Sequence, residues 1–98
     1  MREILIALIL LLTSCAEPAK TAVPKLIKQL SSKVDKERNQ AALALARYGE
    51  EAAPATDALI YLLGDDNGGV RSSAAYALRS IGSPKATKAL DDYNANNK

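Results

Sequence analysis

The sequence predicts an all-α protein: a short right-handed α-solenoid of about five helices stacked as helix pairs, behind a targeting segment. Three observations predict it. Alanine (18) and leucine (14) make up about a third of the 98 residues, a composition that favours closely packed helices over strands. The stretch Arg38-Asn-Gln-Ala-Ala-Leu-Ala-Leu-Ala-Arg-Tyr-Gly49 lies over Arg71-Ser-Ser-Ala-Ala-Tyr-Ala-Leu-Arg-Ser-Ile-Gly82 at an offset of 33, with six of twelve positions identical. Self-similarity at a period of about 20–50 residues marks stacked repeats. Within each copy the apolar residues recur at helical spacing.

The first fourteen residues stand apart from this pattern. A polar start, Met1-Arg2-Glu3, leads into nine unbroken apolar residues, Ile4 to Leu12. A spanning helix needs about 20 such residues, whereas the core of a secretory signal needs about 7–15. Leu12-Thr13-Ser14-Cys15 then resembles the lipobox of bacterial lipoproteins, and the Cys is the only one in the chain. That resemblance implies cleavage before Cys15 and lipidation of Cys15. It implies a cell-envelope address, and Ala16 in place of Asp directs the protein to the outer membrane, facing the periplasm, in a two-membrane cell. Two plainer readings compete. Ser14-Cys15-Ala16 also fits an ordinary small-x-small cleavage site, and the run also fits an uncleaved helix with Cys15 as a small buried hydrophobe. The expected organisation is a signal at 1–14, lipidated Cys and tether at 15–21, repeat domain at 22–93 and polar tail at 94–98.

The first helix of a pair carries Ala41, Ala42, Leu45 and Tyr48, matched one repeat later by Ala74, Ala75, Leu78 and Ile81. Ala75 and Leu78 are expected among the most buried side chains. Gly49 and Gly82 stand where a left-handed helix stop is expected. Pro54 and Pro84 follow near the start of the next helix, where a missing N–H costs little. The second helices carry Val23, Leu26, Ile27 and Leu30, then Ala55, Leu59, Leu62 and Leu63, then Ala86, Ala89, Leu90 and Tyr93. Ser31 to Asp35 and Gly64 to Gly69 supply turn and N-cap chemistry between units.

The run from Leu62-Leu63 through Asp65-Asp66-Asn67, Val70-Arg71, Ala74-Ala75 and Ala77-Leu78 to Ile81-Gly82 resembles a HEAT repeat, more narrowly the PBS-lyase HEAT-like type. The unit from Val34 to Leu63 departs from it, with Glu37 where the pattern has Val and Asp35-Lys36 where it has Asp-Pro. The resemblance makes Arg38 and Arg71 structural repeat positions that bind the Asp-rich turn or nearby carbonyls, with Asp65 and Asp66 as candidates for Arg71. It also implies that the second helices line a concave, partner-binding side. There Lys28, Tyr61 and Asp92 form one outward ladder, and Pro24, Asp57 and Lys88 another. Tyr61 is central because exposed aromatics often dominate interfaces, with Lys28, Asp57 and Lys88 around it. Leu43 and Tyr76, matched on the first helices, are expected to pack between helix rows.

No catalytic or metal constellation is expected. The chain has no His, which removes the commonest general base and metal ligand. The acidic pairs Glu50-Glu51, Asp65-Asp66 and Asp91-Asp92 are adjacent in sequence, and neighbours on a helix do not face each other. No phosphate-binding glycine spacing occurs, and a net charge of +2 is too mild for a nucleic-acid face. No cofactor is expected. The reading is a membrane-anchored, non-enzymatic interaction module or scaffold for an envelope protein, with self-association as a further option for a short open stack. An accessory subunit or lyase-like chaperone of a cofactor protein, or a purely structural lipoprotein, are the alternatives.

Overall fold

Two rows of helices, alternating along the chain, hold the core between them. The computed structural model describes residues 17–96. The expected signal segment and Cys15 lie outside the described residues. The elements are α1 (Ala19–Gln29), α2 (Asp35–Tyr48), a 3₁₀ segment (Gly49–Ala55), α3 (Thr56–Leu62), α4 (Gly68–Ile81) and α5 (Pro84–Asn96). The two first helices, α2 and α4, form the most extensive helix contact, and α1, α3 and α5 lie against them as the second helices.

Each element starts where the local chemistry lets it. The Ser32 hydroxyl accepts from Val34 N (3.1 Å) and donates to Glu37 Oε1 (2.7 Å), which ties down the entry to α2. At α4 the N-cap is Asn67, whose Oδ1 accepts from Val70 N at 3.1 Å, so one orphan N–H of the first turn is satisfied. At α5, Ser83 Oγ accepts from Ala86 N (3.2 Å), and Pro84 occupies the first helical position.

Helix α1 already begins at Ala19, inside the stretch expected as tether. The Tyr48 hydroxyl donates to the Glu17 carbonyl at 2.6 Å and pins the chain there. Helix α5 likewise runs through Asn96, into the expected tail.

The two glycine stops differ. Gly82 is left-handed, with φ 67 and ψ 11, and its N–H closes on Leu78 O at 3.1 Å. Gly49 has φ 55 but ψ −128, so it is not a left-handed stop; the chain turns through it into the 3₁₀ segment. The second helix of that unit is therefore split, with Pro54 in the 3₁₀ half. Pro54 lacks the N–H that a regular helix needs there.

Leu45, Leu59, Leu78 and Val70 are the largest fully buried side chains, and Ala41, Ala42, Ala52, Ala55, Ala74, Ala77 and Ala86 are completely covered. Alanine lets helix backbones approach closely but contributes little apolar area per residue, which points to a domain of modest stability. Two polar side chains enter this core, and both have partners: Thr56 donates to Ala53 O at 2.6 Å, and Ser73 donates to Asn39 Oδ1.

Ala75 is not among the most buried residues. It is half-buried, whereas its counterpart Ala42 is completely covered. The reason is position: α4 lies over α2, but among the described residues no third first-helix lies over α4. Leu43 and Tyr76 are not packing residues between rows either, being 42% and 53% exposed.

Candidate interaction surface

The second helices turn their polar side outward. Tyr61 is 84% exposed, the most exposed large hydrophobic among the described residues. Lys28, Asp57 and Lys88 are exposed as well, but they differ in what they touch. Asp57 pairs with Lys85 of α5 (2.5 Å), and Lys88 pairs with Asp92 one turn on (3.1 Å). All four side chains are more than three-fifths exposed, so each pair contributes at most about 1 kcal/mol. Their main effect is to neutralise the surface locally. Among the described residues, Tyr61 and Lys28 are the members of the expected set whose side chains are unpaired.

Beside Lys28 lies a feature that sequence reasoning missed. A groove of about 420 Å³ opens between α1 and the 3₁₀ segment, where Val23, Pro24 and Ile27 face Pro54, with Lys20 and Glu51 also lining it. None of Tyr61, Lys28, Asp57 and Lys88 lines it. Its sequence signal is a proline in each wall, Pro24 inside α1 and Pro54 in the 3₁₀ segment. Whether the two walls face each other depends on how the repeats stack.

The repeated arginines act inside the scaffold. Arg38 Nη1 donates to Ser32 O (2.9 Å), and Arg71 Nη1 donates to Asp65 O (2.6 Å). In each case the carbonyl lies six residues before the arginine. Arg71 Nη1 also reaches Asp66 O at 3.2 Å. Arg71 thus holds the two residues expected for it, Asp65 and Asp66, through their carbonyls, while the Asp65 carboxylate bonds to Arg38. Arg38 Nε donates to Asp65 Oδ2 (2.9 Å) and Nη2 donates to Oδ1 (3.0 Å). Arg38 Nη2 also donates to Asp35 Oδ1 at 2.6 Å. Asp35 Oδ2 accepts from Asn67 Nδ2 (3.2 Å), and Asp65 Oδ1 accepts from Asn67 N (2.9 Å). A two-bond fork on a carboxylate is both strong and directional, and this one joins consecutive repeats. The hydrogen bond from Arg38 holds the Asp65 carboxyl below the usual carboxylate range, and the same bond raises the Arg38 guanidinium.

Among the described residues no group of three or more His, Cys, Asp or Glu could hold a metal ion, and no helix is long and apolar enough to cross a membrane.

Helix pairs in a 33-residue register, joined by an arginine that grips the next repeat's turn, define a helical-repeat protein. Residues 23–97 match the HEAT-repeat family, and the chain belongs to it. Comparison with curated proteins and with solved structures finds no match. HEAT repeats are commonly protein–protein interaction modules and generally not enzymes.

Proposed function

We propose that this chain is a non-enzymatic interaction module, similar to the PBS-lyase HEAT-like type, held at a bacterial envelope membrane by lipid on Cys15. Its surface for an envelope partner is the outward side of the second helices, centred on Tyr61 with Lys28, Asp57 and Lys88 around it. The observation that carries the reading is Tyr61, an aromatic side chain 84% exposed in a family whose usual work is binding other proteins. A repeat spends its buried residues on its neighbours, so the outward positions are free for partners. Lipid at Cys15 is what the lipobox resemblance of Leu12-Thr13-Ser14-Cys15, after the apolar run Ile4 to Leu12, implies, and two acyl chains would anchor the protein far better than one. Crosslinking and pull-down from membranes tests the surface: Tyr61→Ala loses the partner captured by the wild-type chain and keeps its melting temperature. Loss of folding instead would place Tyr61 in the scaffold. Labelling with palmitate tests the anchor, since Cys15→Ala abolishes the label and leaves unprocessed precursor.

A further inference from the structure

Among the described residues, helix α4 leaves uncovered a face that on α2, one repeat earlier, is covered. Asn39, Ala42 and Ala46 share one stripe of α2. Ala42 is 0% exposed and Ala46 9%, and Asn39 accepts its hydrogen bond from Ser73 of α4. Thirty-three positions on, the same stripe of α4 reads Ser72, Ala75 and Arg79, which are exposed, half-buried and exposed.

The arginines differ in the same way. Arg38 ties down its own turn through Nη1 and grips the next repeat's acid through Nε and Nη2. Arg71 repeats the first half through Nη1. The second half is missing: among the described residues Arg71 forms no ion pair and donates nothing from Nε or Nη2. The third unit is two residues shorter, so the residue in register with Asp65 is Asn96, which carries no charge.

We propose that this face, formed by Arg71, Ser72, Ala75 and Arg79, docks a helix of a partner protein that carries Asp or Glu in the turn just before it. The carboxylate seats on the free Nε and Nη2 edge of Arg71, as Asp65 seats on Arg38. The small residues Ser72 and Ala75 allow the helix to approach closely, and Arg79 adds a second positive charge. A second copy of this chain, placed to continue the row of α2 and α4, would bring Ser32 to the position of Asp65, and its nearby acids Asp35 and Glu37 are already bonded to Arg38 and Ser32. The proposal requires neither lipid on Cys15 nor the surface around Tyr61.

The probe is a synthetic peptide spanning 62–81, the turn and helix that cover α2 within the chain. It is titrated into the isotope-labelled full chain and followed by amide chemical shifts. The expected result is saturable movement of the Ser72, Ala75 and Arg79 signals. A peptide carrying Asp65→Asn binds about tenfold more weakly or worse, as expected when a hydrogen bond to a charged group is lost. That change sits in the peptide, so it cannot disturb the fold of the chain. A Tyr61→Ala chain binds the peptide as the wild type does, which keeps this test separate from that of the partner surface. Absence of saturable shifts, equal binding by the Asp65→Asn peptide, or shifts confined to α1 or to the surroundings of Tyr61 would each overturn the proposal. So would self-association of the chain through these same residues.

Discussion

Arg38 on α2 closes a two-bond fork on Asp65, 27 residues away in the turn that opens the next repeat, with N–O distances of 2.9 and 3.0 Å. The arginine side chain is 14% exposed and the aspartate 9%, so the pair sits at a junction partly shielded from water. Helix packing alone does not set how one repeat turns on the next; this fork adds a fixed direction.

Acid stability follows from that fork. Asp65 lies below its ordinary value of 3.8, chiefly because of the hydrogen bond from Arg38. A carboxyl lowered in the folded state stabilises the fold above its unfolded value, and that stability is lost as pH falls through the folded one. Melting temperature is therefore expected to drop steeply below about pH 4. Asp65→Asn is expected to melt lower at neutral pH and to show a shallower acid slope, so that the two curves converge in acid. Parallel curves across the range would remove Asp65 from the acid response.

The neighbouring alanines Ala74 and Ala75 should tolerate charge very differently. Ala74 is completely covered, and Ala75 is half-buried. Ala74→Asp places an unpaired charge between helices and is expected to unfold the domain. Ala75→Asp is expected to leave a folded chain. Far-UV circular dichroism melts of the two variants decide this, and unfolding of both would mean that a further element covers α4.

Leu78 is fully buried, and Leu78→Ala is expected to cost about 2–5 kcal/mol. In a small Ala-rich core that is a large share of a total stability near the low end of about 5–15 kcal/mol. Urea denaturation checks it through a lower midpoint with an unchanged slope.

At the two helix stops, substitution is expected to be limited by backbone strain rather than space. A Cβ at Gly49 or Gly82 would meet its nearest neighbour at 3.7 Å, an ordinary contact. Gly82 is left-handed, where an L residue costs about 1–2 kcal/mol. Gly49, at φ 55 and ψ −128, lies outside the left-handed well, and Gly49→Ala is expected to cost more than Gly82→Ala. Thermal melts of the two variants give the order.

Tyr61→Ala and Leu43→Ala both remove exposed side chains, so both are expected to stay within about 0.5 kcal/mol of wild-type stability. Only Tyr61→Ala is expected to lose the envelope partner. Loss of capture by both would widen the surface to the first helices.

The 33-residue repeat and the alternation of helix pairs were legible in the residues themselves, because helical periodicity and the arginine-to-glycine stretches are local signals. The sequence also determined the burial of Ala41, Leu45, Ala74 and Leu78, since a residue that faces its own repeat's partner helix is covered in every repeat. Only the tertiary structure decided that Ala75 is less covered than Ala42, that Asp65 answers Arg38 while Arg71 holds carbonyls, and that Pro24 and Pro54 share a groove. Identical motifs predict identical environments, but among the described residues α4 has no counterpart of the helix with which it covers α2 itself. The carboxylate is shared out in the same non-local way. Asp65 lies six residues from Arg71 and 27 from Arg38, yet stacking brings the distant fork into line with the carboxylate and leaves the nearer one on the backbone.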